Sequence, residues 1–195
     1  MASERNNYKR GWFRRRVSGI DPERLIFIEE AAVNTAMTRH FGHAAPGERA
    51  VESVPRNYGE QTSMISALGL RGLVATMTLE GAVDILAFDA YINEVLAAEL
   101  NEGDVMILDN LNVHKASQIE QVAAARGARV IWLALYSPDM SPIEQCWSKI
   151  KQLLRAAKAR TREELEKALV RAMKSVTSSD IRGWFNYCGY LVAPD

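Results

Sequence analysis

The chain has 195 residues, 48% of them hydrophobic and 25% charged, which suits one well-packed domain and excludes a disordered or low-complexity protein. No apolar run reaches the roughly 20 residues that span a bilayer, and the polar, basic stretch from Met1 to Arg16 lacks the apolar core of a secretory signal. The formal charge is zero, yet residues 1–24 carry seven basic against three acidic side chains, 25–144 carry seven against sixteen, and 145–174 carry nine against three. Two basic ends around an acidic middle fit an enzyme that grips phosphates around a carboxylate site, and fit solvated surface equally well. Cys146 and Cys188 have no CxxC or Cys/His spacing, so they read as reduced thiols of a cytoplasmic protein and exclude a zinc knuckle or disulfide framework.

In chain order, residues 1–23 read as a basic arm or the end of a longer helix. A short, largely apolar β run from Arg24 to Glu29 follows, and 34–60 read as loop. Ser63 to Leu70 and Leu73 to Leu79 read as strands joined at Arg71-Gly72, with a third strand from Ala82 to Ala87 after Glu80-Gly81. From Asp89, a candidate N-cap, the period becomes helical, with Ile92, Val95, Leu96 and Leu100 on one face. Val105 to Leu108 is a buried strand ending at Asp109-Asn110. Ser117-x-x-Glu120 reads as the capping box of a helix that closes at Gly127, and Arg129 to Leu133 is a further strand. Beyond Pro138 helices remain: one opened by Ser141-Pro142-x-Glu144 with Ile143, Trp147, Ile150 and Leu154 inward, one opened by Thr161-x-x-Glu164, and one from Ile181 to Tyr187. This order predicts an α/β fold, a mixed sheet of about five strands flanked by helices with a helical C-terminal segment.

Three carboxylates stand at expected element ends: Glu29 after the first strand, Asp109 after the strand at 105–108, and Glu144 in the first turn of its helix. Strand alternation puts Glu29 on the face of Phe27 and sends Glu30 the other way. Clustered carboxylates need a cation, and hard oxygen donors favour Mg²⁺ or Mn²⁺. Each also has a local reading. Glu144 is where a capping-box glutamate belongs, Asp109-Asn110 suits a turn, and Glu29 suits a strand end. His114 reads as a loop residue more readily than as a metal ligand, and Trp147, Trp184, Phe185 and Tyr187 as core more readily than as base-stacking platforms.

The run Asp109-Asn-Leu-Asn-Val-His114-Lys115 followed by Ser137-Pro-Asp-Met-Ser-Pro-Ile-Glu144-Gln-Cys-Trp147 resembles the IS630/Tc1/mariner superfamily of transposases. The 34 residues between Asp109 and Glu144 match the spacer of that superfamily, and Asn34 to Arg39 and Trp184-Phe-x-x-Cys188-Gly-Tyr190 are also similar to its bacterial members. The resemblance implies a ribonuclease-H-like catalytic domain over residues 24–190, with a tail at 191–195. It implies Glu29, Asp109 and Glu144 as catalytic ligands of two Mg²⁺ or Mn²⁺ ions. The implied reaction is cleavage at transposon ends and transfer into target DNA at TA, carried out by a homodimer in the bacterial cytoplasm, on the nucleoid and away from membranes. Arg14, Arg15, Arg16, His114, Lys115, Lys149, Lys151, Arg155 and Lys158 are then expected to meet double-stranded DNA. Two features depart from the pattern: Glu29 stands where the superfamily has aspartate, and no helix-turn-helix region that reads transposon ends precedes it. An impaired relic that only binds DNA or assembles is the alternative expectation.

Overall fold

Strands β1 (Leu25–Asn34), β2 (Gln61–Gly69), β3 (Gly72–Glu80), β4 (Val105–Leu108) and β5 (Arg129–Trp132) form one sheet in the order β3-β2-β1-β4-β5. The structure, a computed structural model, describes residues 6–109 and 113–192, and the side chains of all of these except 113–117. β1 pairs antiparallel with β2, β2 antiparallel with β3, and β1–β4 and β4–β5 run parallel. The mixed five-stranded sheet is therefore as expected.

Alternation along the strands sorts two cores. Leu25, Phe27, Ala31 and Val33 of β1 face one side, with Val105 and Ile107 of β4. That side is covered by α1 (Asn7–Val17), α5 (Pro142–Ala157), α6 (Arg162–Lys174) and α7 (Ser178–Tyr187). Ile26 and Ile28 face the other side, against α2 (Ile85–Ala90), a π-helical turn (Tyr91–Leu96), α3 (Ala97–Glu99) and α4 (Val113–Ala125). Period-two strands bearing apolar residues on both faces need such a double cover.

Of the arm or helix end expected before β1, residues 7–17 form helix α1, held on the core by Phe13 and Val17 and by a bidentate pair from Arg10 to Asp139 at 2.9 and 2.6 Å. Three expectations change. β1 does not end at Glu29 but continues to Asn34, because β2 pairs it as far as Asn34 although β4 supports it only to Ile28. The expected strand at 82–87 gives way to α2, since Asp84 caps that helix by accepting from the Ala87 amide, and Asp89 lies inside it. Helix α4 starts at Val113, so Ser117 is inside the helix and its spacing to Glu120 is not a capping box.

The C-terminal helices follow the sequence closely. Thr161/Glu164 and Thr177/Asp180 are reciprocal capping boxes at the starts of α6 and α7. Ile143, Trp147, Ile150 and Leu154 are buried along α5, as are Leu165, Leu169 and Ala172 along α6. Cys146 and Cys188 are both buried and unpaired, and burial pushes each thiol up to about 12. Among the described residues, no helix is long and apolar enough to cross a membrane.

Candidate active site

Because β1 and β4 run parallel with Ile28 beside Leu108, Glu29 and Asp109 are the next residues along neighbouring strands. Phe27 and Ile107, two positions earlier on each strand, belong to the core covered by α5, and Glu29 and Asp109 also line a cavity on the Ile28 side. Glu144 is the third residue of that helix. Its capping-box reading fails: Ser141 makes no side-chain cap bond, and only its carbonyl accepts from the Glu144 amide, at 3.1 Å.

Glu29 and Glu144 both respond to burial and to neighbouring charge. Burial, the repulsion of Glu144, Asp109 and Glu30, and one opposing hydrogen bond together push Glu29 up to about 7. That bond runs from the Glu30 amide to Glu29 Oε1 at 3.2 Å, so the side chain turns back on its own strand just beyond the end of β4. Glu144 is also raised, first by burial, with the Lys151 cation opposing and Asp109 adding. Glu30 lines the same cavity of about 30 Å³ as Glu29 and Asp109, with Phe88, Ile119 and Trp132.

Among the described residues, no group of three or more His, Cys, Asp or Glu side chains is gathered to hold a single metal ion. The donors nonetheless suit a hard cation. They are all carboxylate oxygens, they are partly buried, and Glu29 and Glu144 are raised first by burial and then by neighbouring carboxylate charge that a cation would offset. Magnesium needs only one or two carboxylates and keeps several waters, so pairwise coupling is compatible with ions shared between neighbouring carboxylates.

A family model described as DDE superfamily endonuclease matches residues 24–166. The chain belongs to the DDE superfamily endonucleases. No curated protein matches it in sequence. Among solved structures, a pre-cleavage Mos1 transpososome is similar with a TM-score of 0.71 at 16% identity, over 94% of this chain and 58% of that one. A Mos1 mariner paired end complex with Mn gives 0.72 at 16% identity, over 96% and 61%. The catalytic domain of Mos1 mariner transposase gives 0.67 at 13% identity, over 97% and 91%. The DDE domain thus has the ribonuclease-H-like fold of these catalytic domains and spans about three fifths of the longer Mos1 chains.

The basic residues of this DDE domain divide into those near the site and those engaged elsewhere. Lys151 is close enough to lower Glu144, and with Arg155 it borders a groove of about 430 Å³. Lys149 instead reaches Asp180 Oδ2 at 2.5 Å and the Ser175 carbonyl at 3.0 Å, tying α5 to α7. Lys158 pairs with Glu52. Arg14, Arg15 and Arg16 form the exposed last turn of α1, where Arg14 borders a different cavity, with Asp139 and Tyr187, and Arg16 lies 4.6 Å over the Trp12 ring. The side chains of His114 and Lys115 lie outside the described residues. Sequence reasoning missed His40, Arg56 and Tyr58, which border the groove with Lys151 and Arg155; the signal was the recurring cations of the loop at 35–60.

Lys149 offers a clean test of this division. Its ion pair is about one-third exposed, so Lys149→Ala should cost about 1 kcal/mol and lower Tm by about 2–4 °C, while DNA affinity and its salt dependence stay at wild-type values. A weaker DNA complex with unchanged Tm would return Lys149 to the DNA surface.

Glu29 predicts a second effect. A carboxylate raised in the folded state favours the protonated form. Its contribution is therefore complete below the unfolded value of 4.5 and is lost as pH rises through about 7. The shift corresponds to about 3 kcal/mol. In EDTA, Tm should fall between pH 5 and pH 8, Glu29→Gln should flatten that slope, and Mg²⁺ at pH 8 should restore stability. An equal slope in wild type and Glu29→Gln would show that Glu29 is not the group responsible.

Proposed function

We propose that this chain is the catalytic domain of a transposase that cuts phosphodiester bonds at transposon ends and joins the freed 3′ ends to target DNA at TA. Glu29, Asp109 and Glu144 are its catalytic residues and hold two divalent ions, Mg²⁺ or Mn²⁺, within the unit 24–190. What supports the reading is that Glu29 and Asp109 stand at the ends of neighbouring parallel strands and that the charges of Asp109 and Glu144 both bear on Glu29. The Mos1 transpososome and the paired end complexes with Mn and Mg support it as relatives in fold.

Bound there, such ions supply Lewis-acid stabilisation of the charge that develops on the phosphate during in-line displacement. The chain's own contribution is positional. β1 and β4 hold Glu29 and Asp109 side by side, and α5 presents Glu144 from its first turn. Lys151, further along α5, offsets negative charge near Glu144. We take a homodimer as the working form, one copy for each transposon end.

The folding back of Glu29 onto the Glu30 amide favours a second reading, a relic that binds DNA or assembles without cutting it. Glutamate carries its carboxylate roughly an ångström further than aspartate, a misplacement worth about a hundredfold in rate. Strand transfer of a pre-cleaved duplex into a TA-containing plasmid, with Mn²⁺, Mg²⁺ or EDTA, separates the two. Metal-dependent joining by the wild type supports the transposase, and a gain of about a hundredfold in Glu29→Asp identifies glutamate as the impediment. No joining by either protein favours the relic.

A further inference from the structure

Beyond the carboxylates, β1 runs on to Asn34, and its far end forms the floor of the groove. One wall is α5, through Lys151 and Arg155, which lie seven and eleven residues past Glu144 on the same helical side. The other wall is the loop at 35–60, through His40, Arg56 and Tyr58. That wall is anchored. Arg160 Nη1 donates to the Thr35 and Met37 carbonyls at 3.0 and 3.1 Å, Thr35 Oγ1 accepts from the Glu60 amide at 3.1 Å, and Glu52 pairs with Lys158 at the end of α5.

No acidic side chain borders the groove, and among the described residues none of His40, Arg56, Lys151 and Arg155 forms an ion pair within the chain. Cations held around one concavity repel each other unless an anion enters. Tyr58 is 87% exposed at the rim, where an aromatic face is available to a base.

We infer that this groove takes the phosphate backbone of the DNA strand leading away from the carboxylate site, with Arg56 and Arg155 as phosphate contacts from opposite walls and Tyr58 as a stacking surface. The inference rests on the proposed function for its ligand, but its test does not require chemistry. The loop at 35–60 is then a fixed wall that, with α5, sets the path of the strand past Glu29 and Glu144.

Binding of a fluorescein-labelled duplex with a single-stranded 3′ overhang is measured by anisotropy in EDTA over a series of salt concentrations. Arg56→Ala and Arg155→Ala should each weaken binding and each reduce the slope of log K against log salt by about 0.7–0.9. Tyr58→Ala should weaken overhang binding by roughly tenfold with an unchanged slope. Arg126→Ala, at an exposed position just past α4, is the control and should match wild type. Wild-type affinity and slope in both arginine variants would overturn the groove assignment, even if metal-dependent joining is robust. Arginine-dependent binding in a protein that never joins DNA would sink the catalytic reading and leave the groove standing. A wild-type chain that binds no DNA would overturn both.

Discussion

Asp109→Asn is expected to abolish metal-dependent joining while leaving the protein folded. The substitution keeps the size of the side chain and removes a charge that repels Glu29 and Glu144. Thermal stability in EDTA should therefore hold or rise, and Glu29 should titrate lower than about 7. Chemistry should suffer heavily. Lewis-acid stabilisation is worth several kcal/mol, and each 1.36 kcal/mol is tenfold in rate, so joining should fall at least about a thousandfold. Strand transfer and Tm are read on the same preparation. Joining within tenfold of wild type would remove Asp109 from the catalytic set, and a lost melting transition would show that it is structural.

The largest expected loss of stability lies beneath the site. Phe185 of α7 is fully buried, edge-on to Phe27 at 5.5 Å between ring centroids and 6.0 Å from the ring of Tyr190. Tyr190 in turn donates its hydroxyl to the Met140 carbonyl at 2.6 Å, in the turn that leads into α5. Phe185→Ala leaves a cavity at this junction and should cost about 3–5 kcal/mol, a large share of the 5–15 kcal/mol typical of a domain. Tm should drop by about 10 °C, with the urea midpoint falling in step. Phe27 precedes Glu29 by two residues on the same face of β1, so joining should weaken too in whatever protein remains folded. A loss below 1 kcal/mol would mean that α7 does not brace the strand.

The C-terminal half was readable because several signals coincide there. Thr161/Glu164 announces the start of α6, and the apolar spacing on α5 falls on the buried face. That Glu29 and Asp109 end strands was a local reading, but their adjacency depends on the parallel pairing of β1 with β4, about eighty residues apart, which local pattern does not supply. Elsewhere a single signal misled. Ala82 to Ala87 is apolar enough for a strand, yet Ile85 and Leu86 are 60% and 78% exposed and Asp84 caps a helix. The charge pair at 29–30 looked like a strand end, although Ala31 and Val33 continue the buried alternation. The groove was illegible for a different reason, because its walls come from positions about a hundred residues apart that only tertiary contacts such as Arg160 to Thr35 bring together.

The two thiols have a practical consequence. With Cys146 and Cys188 buried and held near 12, almost no thiolate exists at neutral pH to meet an alkylating reagent. The native sequence is thus a silent background for site-directed labelling. A cysteine placed on the exposed loop at 35–60 and another on the outer side of α5 would take a donor and an acceptor dye without removing either natural residue. The width of the groove between loop and helix then becomes a distance that fluorescence reads in solution with and without DNA.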